Sequence, residues 1–276
     1  MRLLRLAVSV ILFIVLTILT QIGGLVYLLL RWLQRYTDRL TTRTWLQRMF
    51  RVGLFLVLYT VATFVVVPLL ARPFGRVPLP FSTTRHLQPV TPLTWLLNRQ
   101  YVRPALREAV YEVADYMDTA YPGTRLNYLD GNFPFFNGFP LFPHLSHNDG
   151  QKLDLAFCYK DGVTGVPVNE SPSPIGYAVC EGPRHDEEDM PAQCADKGFW
   201  QYSLLADLVP QGGKSRYPFD AVRTKALAER LTAHPAIGKL FIEPHLKARL
   251  ELKSPKVRFH GCRAVRHDDH IHIQLK

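Results

Sequence analysis

Six residues in the second half of the chain have the side chains best suited to chemistry: His144, His147 and Asp154 lie close together, and His267, His270 and His272 lie just before Lys276. Five of the ten histidines fall in these two groups. In His270-Ile271-His272-Ile273-Gln274-Leu275 polar and apolar residues alternate strictly. A strand there turns both imidazoles to one face and Ile271, Ile273 and Leu275 to the other. Taken alone, such a pair is accounted for more readily by a solvated sheet face than by a metal site. In the first group Asp154 opens an apolar strand, and His147 precedes it on a turn containing Gly150. Such a loop can fold back and bring both side chains to one point. A carboxylate at the head of an apolar strand must be solvated, hydrogen-bonded or metal-bound. Zinc accepts this mixture of imidazole and carboxylate, and a catalytic zinc uses three protein ligands with a fourth position open to water.

The elements that must position these residues suggest an α+β domain with a mostly antiparallel sheet, because strands and helices follow one another without strict alternation. The domain is expected to begin near Tyr101, with Pro104 in the first turn of a helix whose buried face carries Leu106, Val110, Val113 and Met117. Strands are expected at Leu126–Leu129, Lys152–Tyr159, Ile175–Cys180, Phe199–Leu205, Lys239–Ile242, Val257–Phe259 and His270–Leu275. Asp220 should cap a helix over Ala221–Leu231, and Pro244 should lead a short one. Residues 133–143, rich in Phe, Pro and Gly, form either a packed loop over the core or an apolar lip beside a groove.

The front of the chain is of another kind. Residues 7–30 carry no charge, nor do residues 52–71, and each run can span roughly 30 Å of hydrocarbon as a helix. The first run is too long for an export signal and lacks a small-x-small cleavage site. Residues 1–76 hold ten arginines against Asp38, a net of +9, whereas the other 200 residues hold 23 bases and 22 acids, a net of +1. The overall charge of +10 is therefore no nucleic-acid footprint. Six of the arginines, Arg31 through Arg51, lie between the apolar runs, which makes residues 31–51 a cytoplasmic loop. Everything from about Arg72 then lies outside, with residues 72–100, which include five prolines, as an extended linker. This topology requires the N-terminal tail to cross outward with Arg2 and Arg5. All four cysteines follow the second run, as expected for an oxidising compartment. Of the three possible pairings, Cys180–Cys194 with Cys158–Cys262 is favoured; a zinc-thiolate cluster is not, for lack of a C-x-x-C spacing.

The segment PHLSHNDGQKLDL, followed about 110 residues later by HDDHIHIQL, resembles the penicillin-insensitive murein endopeptidases. More broadly it resembles the zinc peptidases that share a fold with D-Ala-D-Ala dipeptidases and the Hedgehog signalling domain. The family signature is S-H-x6-D with a terminal H-x-H, and both halves occur in order; HPAIGKLFIEPHLK also resembles the family's intervening strand and helix. The likeness covers roughly residues 138–276. It implies His147, Asp154 and His272 as zinc ligands and His270 as the group that handles protons. His144 and His267 match family positions near the metal, in a supporting or second-metal role. The segment His185-Asp186-Glu187-Glu188 lies where the family has further ligands, but reads better as a solvated acidic loop.

The expected activity is hydrolysis of a peptide bond in peptidoglycan, with zinc activating water, His270 relaying the proton, and the metal or His267 stabilising the oxyanion. The murein endopeptidases are secreted and lack a paired-helix front, which leaves a D-amino-acid carboxypeptidase open. The alternative from a different class is a zinc-stabilised module that binds wall peptide or a partner protein without cutting it. A complete ligand set with His270 beside it favours the enzyme.

Overall fold

A computed structural model describes residues 2–39 and 41–276. Among the described residues two helices are long and apolar enough to cross a membrane, Leu3–Thr20 and Thr44–Leu70. The first apolar run is not one span: it divides into α1 (Arg2–Thr20) and α2 (Gly23–Thr37), with Gln21 at φ 64° between them. The cause is the Gly23-Gly24 pair. A Cβ on Gly24 would sit 2.0 Å from Thr17 Oγ1 and 2.8 Å from the Phe13 carbonyl, so only glycine admits this contact. In a continuous helix positions 13 and 24 stand roughly 16 Å apart. The chain therefore doubles back at Gln21-Ile22, and α2 packs against both α1 and α3 (Thr44–Val61).

A π-helical turn, Ala62–Val66, joins α3 to α4 (Val67–Leu70). Pro68 has no N–H for the Phe64 carbonyl and its ring crowds that oxygen, so the turn before it loosens. Arg51 meets Asp38 at 2.7 Å at one end of the bundle, the end where α1 also begins. At the other end Gln21 Oε1 accepts a hydrogen bond from the Phe135 N–H (2.9 Å), and Ile22 packs with Val67, Ala71 and Tyr101. The rest of the chain thus packs on the Gln21 end.

Residues 72–100 are not an extended linker. They contribute β1 (Val77–Pro78), β2 (Leu87–Pro89) and α5 (Leu93–Leu96), and bury Leu79, Leu87 and Trp95. Prolines end β1 and β2 and Pro92 precedes α5, but the apolar residues between them still find partners: Phe64 stacks on Trp95, whose Nε1 donates to the Tyr128 hydroxyl at 2.9 Å.

The domain continues with β3 (Tyr101–Val102), paired to β1, then α6 (Pro104–Ala120), β4 (Leu126–Tyr128), β5 (Lys152–Ala156), β6 (Tyr159–Lys160) and β7 (Pro167–Val168). After α7 (Met190–Asp196), α8 (Leu204–Leu208) and α9 (Gly213–Arg216) come α10 (Ala221–Ala233), β8 (Ile237–Phe241), α11 (Pro244–Arg249), β9 (Val257–Arg258) and β10 (His270–Leu275). The main sheet runs β2-β4-β5-β10-β8-β9; its three inner pairings are antiparallel and both edge pairings parallel. The molecule is thus α+β. The strand nearest the C-terminus lies inside the sheet, and its register sets His272 opposite Asp154 and Ile273 opposite Leu153. Behind the sheet, Leu153, Leu155, Ile271 and Ile273 pack with Leu106, Val110, Val113 and Met117 of α6 and with Leu227 and Leu231 of α10, all almost fully buried. Asp220 caps α10 by accepting from the Arg223 N–H at 3.2 Å.

Two expected strands are absent. Ile175–Cys180 is a turn with Gly176 and Ala178 at positive φ, and Phe199–Leu205 forms a 3-10 turn that runs into α8. Both cover the front of the sheet, where apolar residues serve as a lid instead of a ladder. The disulfide also differs from expectation: Cys194 pairs with Cys262, while Cys158 and Cys180 are buried thiols. Cys158 lies in the core behind the sheet, whereas Cys194 and Cys262 share a cluster with Met190 and Tyr202.

Candidate metal centre

The front face of β5 and β10 is where the chemistry gathers. Asp154 and the rings of His147, His270 and His272 are buried there, on the side opposite the apolar core. His147 arrives from a loop. Its Nδ1–H donates to the Gly131 carbonyl at 2.6 Å, which leaves the lone pair of a neutral ring on Nε2. That Nε2 lies 3.0 Å from His272 Nδ1 and 3.2 Å from Asp154 Oδ1, and the latter two atoms are 2.9 Å apart. In a tetrahedral site with bonds of about 2.0–2.1 Å the ligand atoms stand roughly 3.3 Å from one another. The triangle has nearly that size. One proton shared among three such atoms still leaves two lone pairs facing each other, an arrangement that a cation resolves.

A wider set overlaps it: ligand atoms of His144, His147 and Asp154 all lie within 4.8 Å of one another, so this buried group could hold a metal ion. His144 Nδ1 approaches Asp154 Oδ2 at 3.1 Å and Asp130 Oδ2 at 3.5 Å. Burial opposes a charge on His144, but the two carboxylates outweigh it and push its pKa up to about 10. Burial likewise opposes the Asp154 anion, and the surrounding His147, His270 and His144 hold it well below the usual range. Burial drives His272 down to about 3, so its ring is neutral, as a ligand must be.

His270 Nδ1 is hydrogen-bonded to the Asp269 carboxylate, which also accepts from the Ala178 N–H. Its Nε2 is buried without a partner and stands 3.7 Å from Asp154 Oδ1. Burial disfavours its cation, but Asp154 and Asp269 prevail and raise its pKa. His267, near His260, His270 and His272, is kept neutral by burial and then by the neighbouring His270 and His272. It can act there only as a neutral N–H donor or acceptor.

All six of these histidines border a cavity of about 540 Å³ walled by Leu145, Tyr202, Leu205 and Val265. The volume lies within the range of small-ligand cavities. His185, Asp186 and Glu188 are exposed and Glu187 pairs with Arg249, so among the described residues this acidic run stays outside the cluster.

Several supporting groups escaped the sequence reading. The Tyr177 hydroxyl donates to Asp154 Oδ2 and accepts from the Asp130 N–H, both at 2.9 Å. Asp130 is held by Arg99 at 3.0 Å. Asp269 lies within the segment His267-Asp268-Asp269-His270, where an acid next to a histidine is a usable signal. Tyr177 fell in the segment read as a strand.

Glu243 is a further one, accepting from the Tyr202 hydroxyl at 2.5 Å and from the His267 backbone N–H at 3.0 Å, with its other oxygen unpartnered. Burial raises its carboxyl from 4.5 to about 7. The folded state therefore binds this proton more tightly than the unfolded chain does. Stability should be highest with Glu243 protonated, fall as pH rises from about 4.5 to about 7, and level off above, a change of up to about 3 kcal/mol. Glu243→Gln should remove that component, seen as a smaller difference in unfolding midpoint of the detergent-solubilised chain between acidic and alkaline pH.

No protein-family model matches the chain, and no curated protein is significantly similar to it.

Proposed function

We propose that the chain is a membrane-anchored zinc peptidase that hydrolyses a peptide bond in cell-wall peptidoglycan, with His147, Asp154 and His272 as ligands. The observation that carries this reading is the tight triangle of His147 Nε2, Asp154 Oδ1 and His272 Nδ1, with the unpartnered His270 Nε2 aimed at the same carboxylate. Two imidazoles and one carboxylate suit zinc, and the motif order supports the fold of the murein endopeptidases and the D-Ala-D-Ala dipeptidases. When bound, zinc supplies Lewis-acid polarisation of the scissile carbonyl and makes water nucleophilic near neutral pH.

The rest falls to the chain's own groups. Asp269 fixes the His270 ring so that Nε2 takes a proton from water and returns it to the departing amine. His267, kept neutral, can donate an N–H to the developing oxyanion. Tyr177 holds Asp154 in place.

An outer-face location is part of this proposal. Because the chain reverses at Gln21, Arg2 and Arg5 begin α1 at the same end of the bundle as the arginine-rich turn. All these bases then lie on one side, opposite the domain, as the positive-inside rule requires, and no basic tail need cross. The test is incubation of the full-length zinc-loaded chain with purified murein, followed by analysis of released fragments. Loss of cross-links or shortening of stem peptides is the expected result. Unchanged murein, with zinc retained, would favour the binding module instead.

A further inference from the structure

We infer that the cavity takes peptides tethered to a lipid, delivered across an apolar lip formed by residues 133–145; this rests on the membrane and peptidase readings above. The depth of the domain comes first. The Tyr59 hydroxyl donates to the Leu96 carbonyl at 2.6 Å and Phe64 stacks on Trp95, so the segment around α5 lies beside the outer half of the second spanning helix. Tyr59 is twelve residues before Ala71, roughly 18 Å along a helix, within a run that bears no charge. A helix buried in hydrocarbon over that length takes its companion segment with it. Leu93 and Leu96 are 46% and 41% exposed on that segment, as a lipid-facing surface should be.

The lip is continuous with this surface. Phe74, just past α4, makes edge contacts with Phe135 at 5.1 Å and Phe136 at 5.7 Å, and Phe136 is 59% exposed. The same loop leads to the metal centre over a short distance. One nitrogen of the buried Arg76 guanidinium donates at 3.4 Å to both the Phe136 and the Asn148 carbonyls, and the Gly138 N–H donates to Asn148 O at 2.8 Å. Asn148 follows His147. The exposed Leu145, between His144 and His147, borders the cavity itself. A chain anchored in the outer leaflet would thus meet phenylalanines first and the ligand-bearing loop next. A free, fully hydrated peptide uses none of this apolar surface.

The experiment uses the full-length chain in liposomes. A single environment-sensitive fluorophore at Phe136→Cys, where the native thiols are buried or disulfide-bonded, should be quenched by lipids brominated on their acyl chains. A probe that is not quenched overturns the inference. Binding and cleavage of one stem-type peptide are then compared with and without an attached acyl chain. The acylated form should bind about 10²-fold more tightly. Phe136→Ser, still anchored by its helices, should lose most of that preference, and Phe136→Leu should keep it. Equal binding of the two peptides, or a preference untouched by Phe136→Ser, would sink the lip. If the acylated peptide binds preferentially but is not cut, the peptidase reading fails and the lip stands.

Discussion

Asp154→Asn is expected to strip the centre of its metal and lower activity by about 10²-fold or more, because a neutral amide is a much poorer zinc ligand than a carboxylate. The substitution also leaves the buried His144 cation with Asp130 as its remaining carboxylate partner, so the cost in stability should be only part of the about 3–5 kcal/mol for breaking a buried charge pair outright. His272→Ala should likewise lose metal, since it removes one corner of the triangle. Metal content of the purified proteins, measured beside their unfolding midpoints, separates the two effects. If neither variant changes metal content, the triangle is a hydrogen-bonded cluster and the peptidase reading goes with it.

His270→Ala should behave in the opposite way. Its Nε2 stands farther from Asp154 than either imidazole of the triangle, so zinc should stay bound while the chemical step slows by about 10²-fold or more. Asp269→Asn should give a milder loss and move the pH profile. Asp269 helps raise the proton affinity of His270, so its neutralisation should shift the limb that reports this group toward lower pH. A pH–rate profile and metal analysis of both variants are sufficient. Zinc lost from His270→Ala but kept by His272→Ala would mean that the two histidines exchange roles.

Much of the scaffold could be read from periodicity. The alternation of β10, the buried stripe of α6 and the Asp220 cap of α10 are local properties, set by side-chain direction and by one hydrogen bond, and each lies where the residue pattern puts it. Ile175–Cys180 and Phe199–Leu205 failed because their apolar residues cover other surfaces, and burial alone does not distinguish a strand from a turn or a lid; residues 72–100 failed because their prolines hide short elements whose apolar residues are buried only by distant partners. The break at Gln21 had a local signal in Gly23-Gly24. Its consequence, a reversal that takes Arg2 and Arg5 to the end with the basic turn, depends on how closely α2 can approach α1.

The candidate centre divides in the same way. Strand parity was enough to turn His270 and His272 to one face, and the cost of burying a charge to single out Asp154, whereas grouping His147 and His272 with it as ligands rested on the resemblance in motif. Tertiary structure alone decided that His272 stands directly opposite Asp154, that Asp269 and Tyr177 orient the groups beside it, and that Cys194 reaches Cys262. Those contacts join residues 23 to 118 positions apart, or hang on which way one carboxylate turns. Strand register and the side of the sheet on which a loop lands are properties of the packed whole, and no local pattern encodes them.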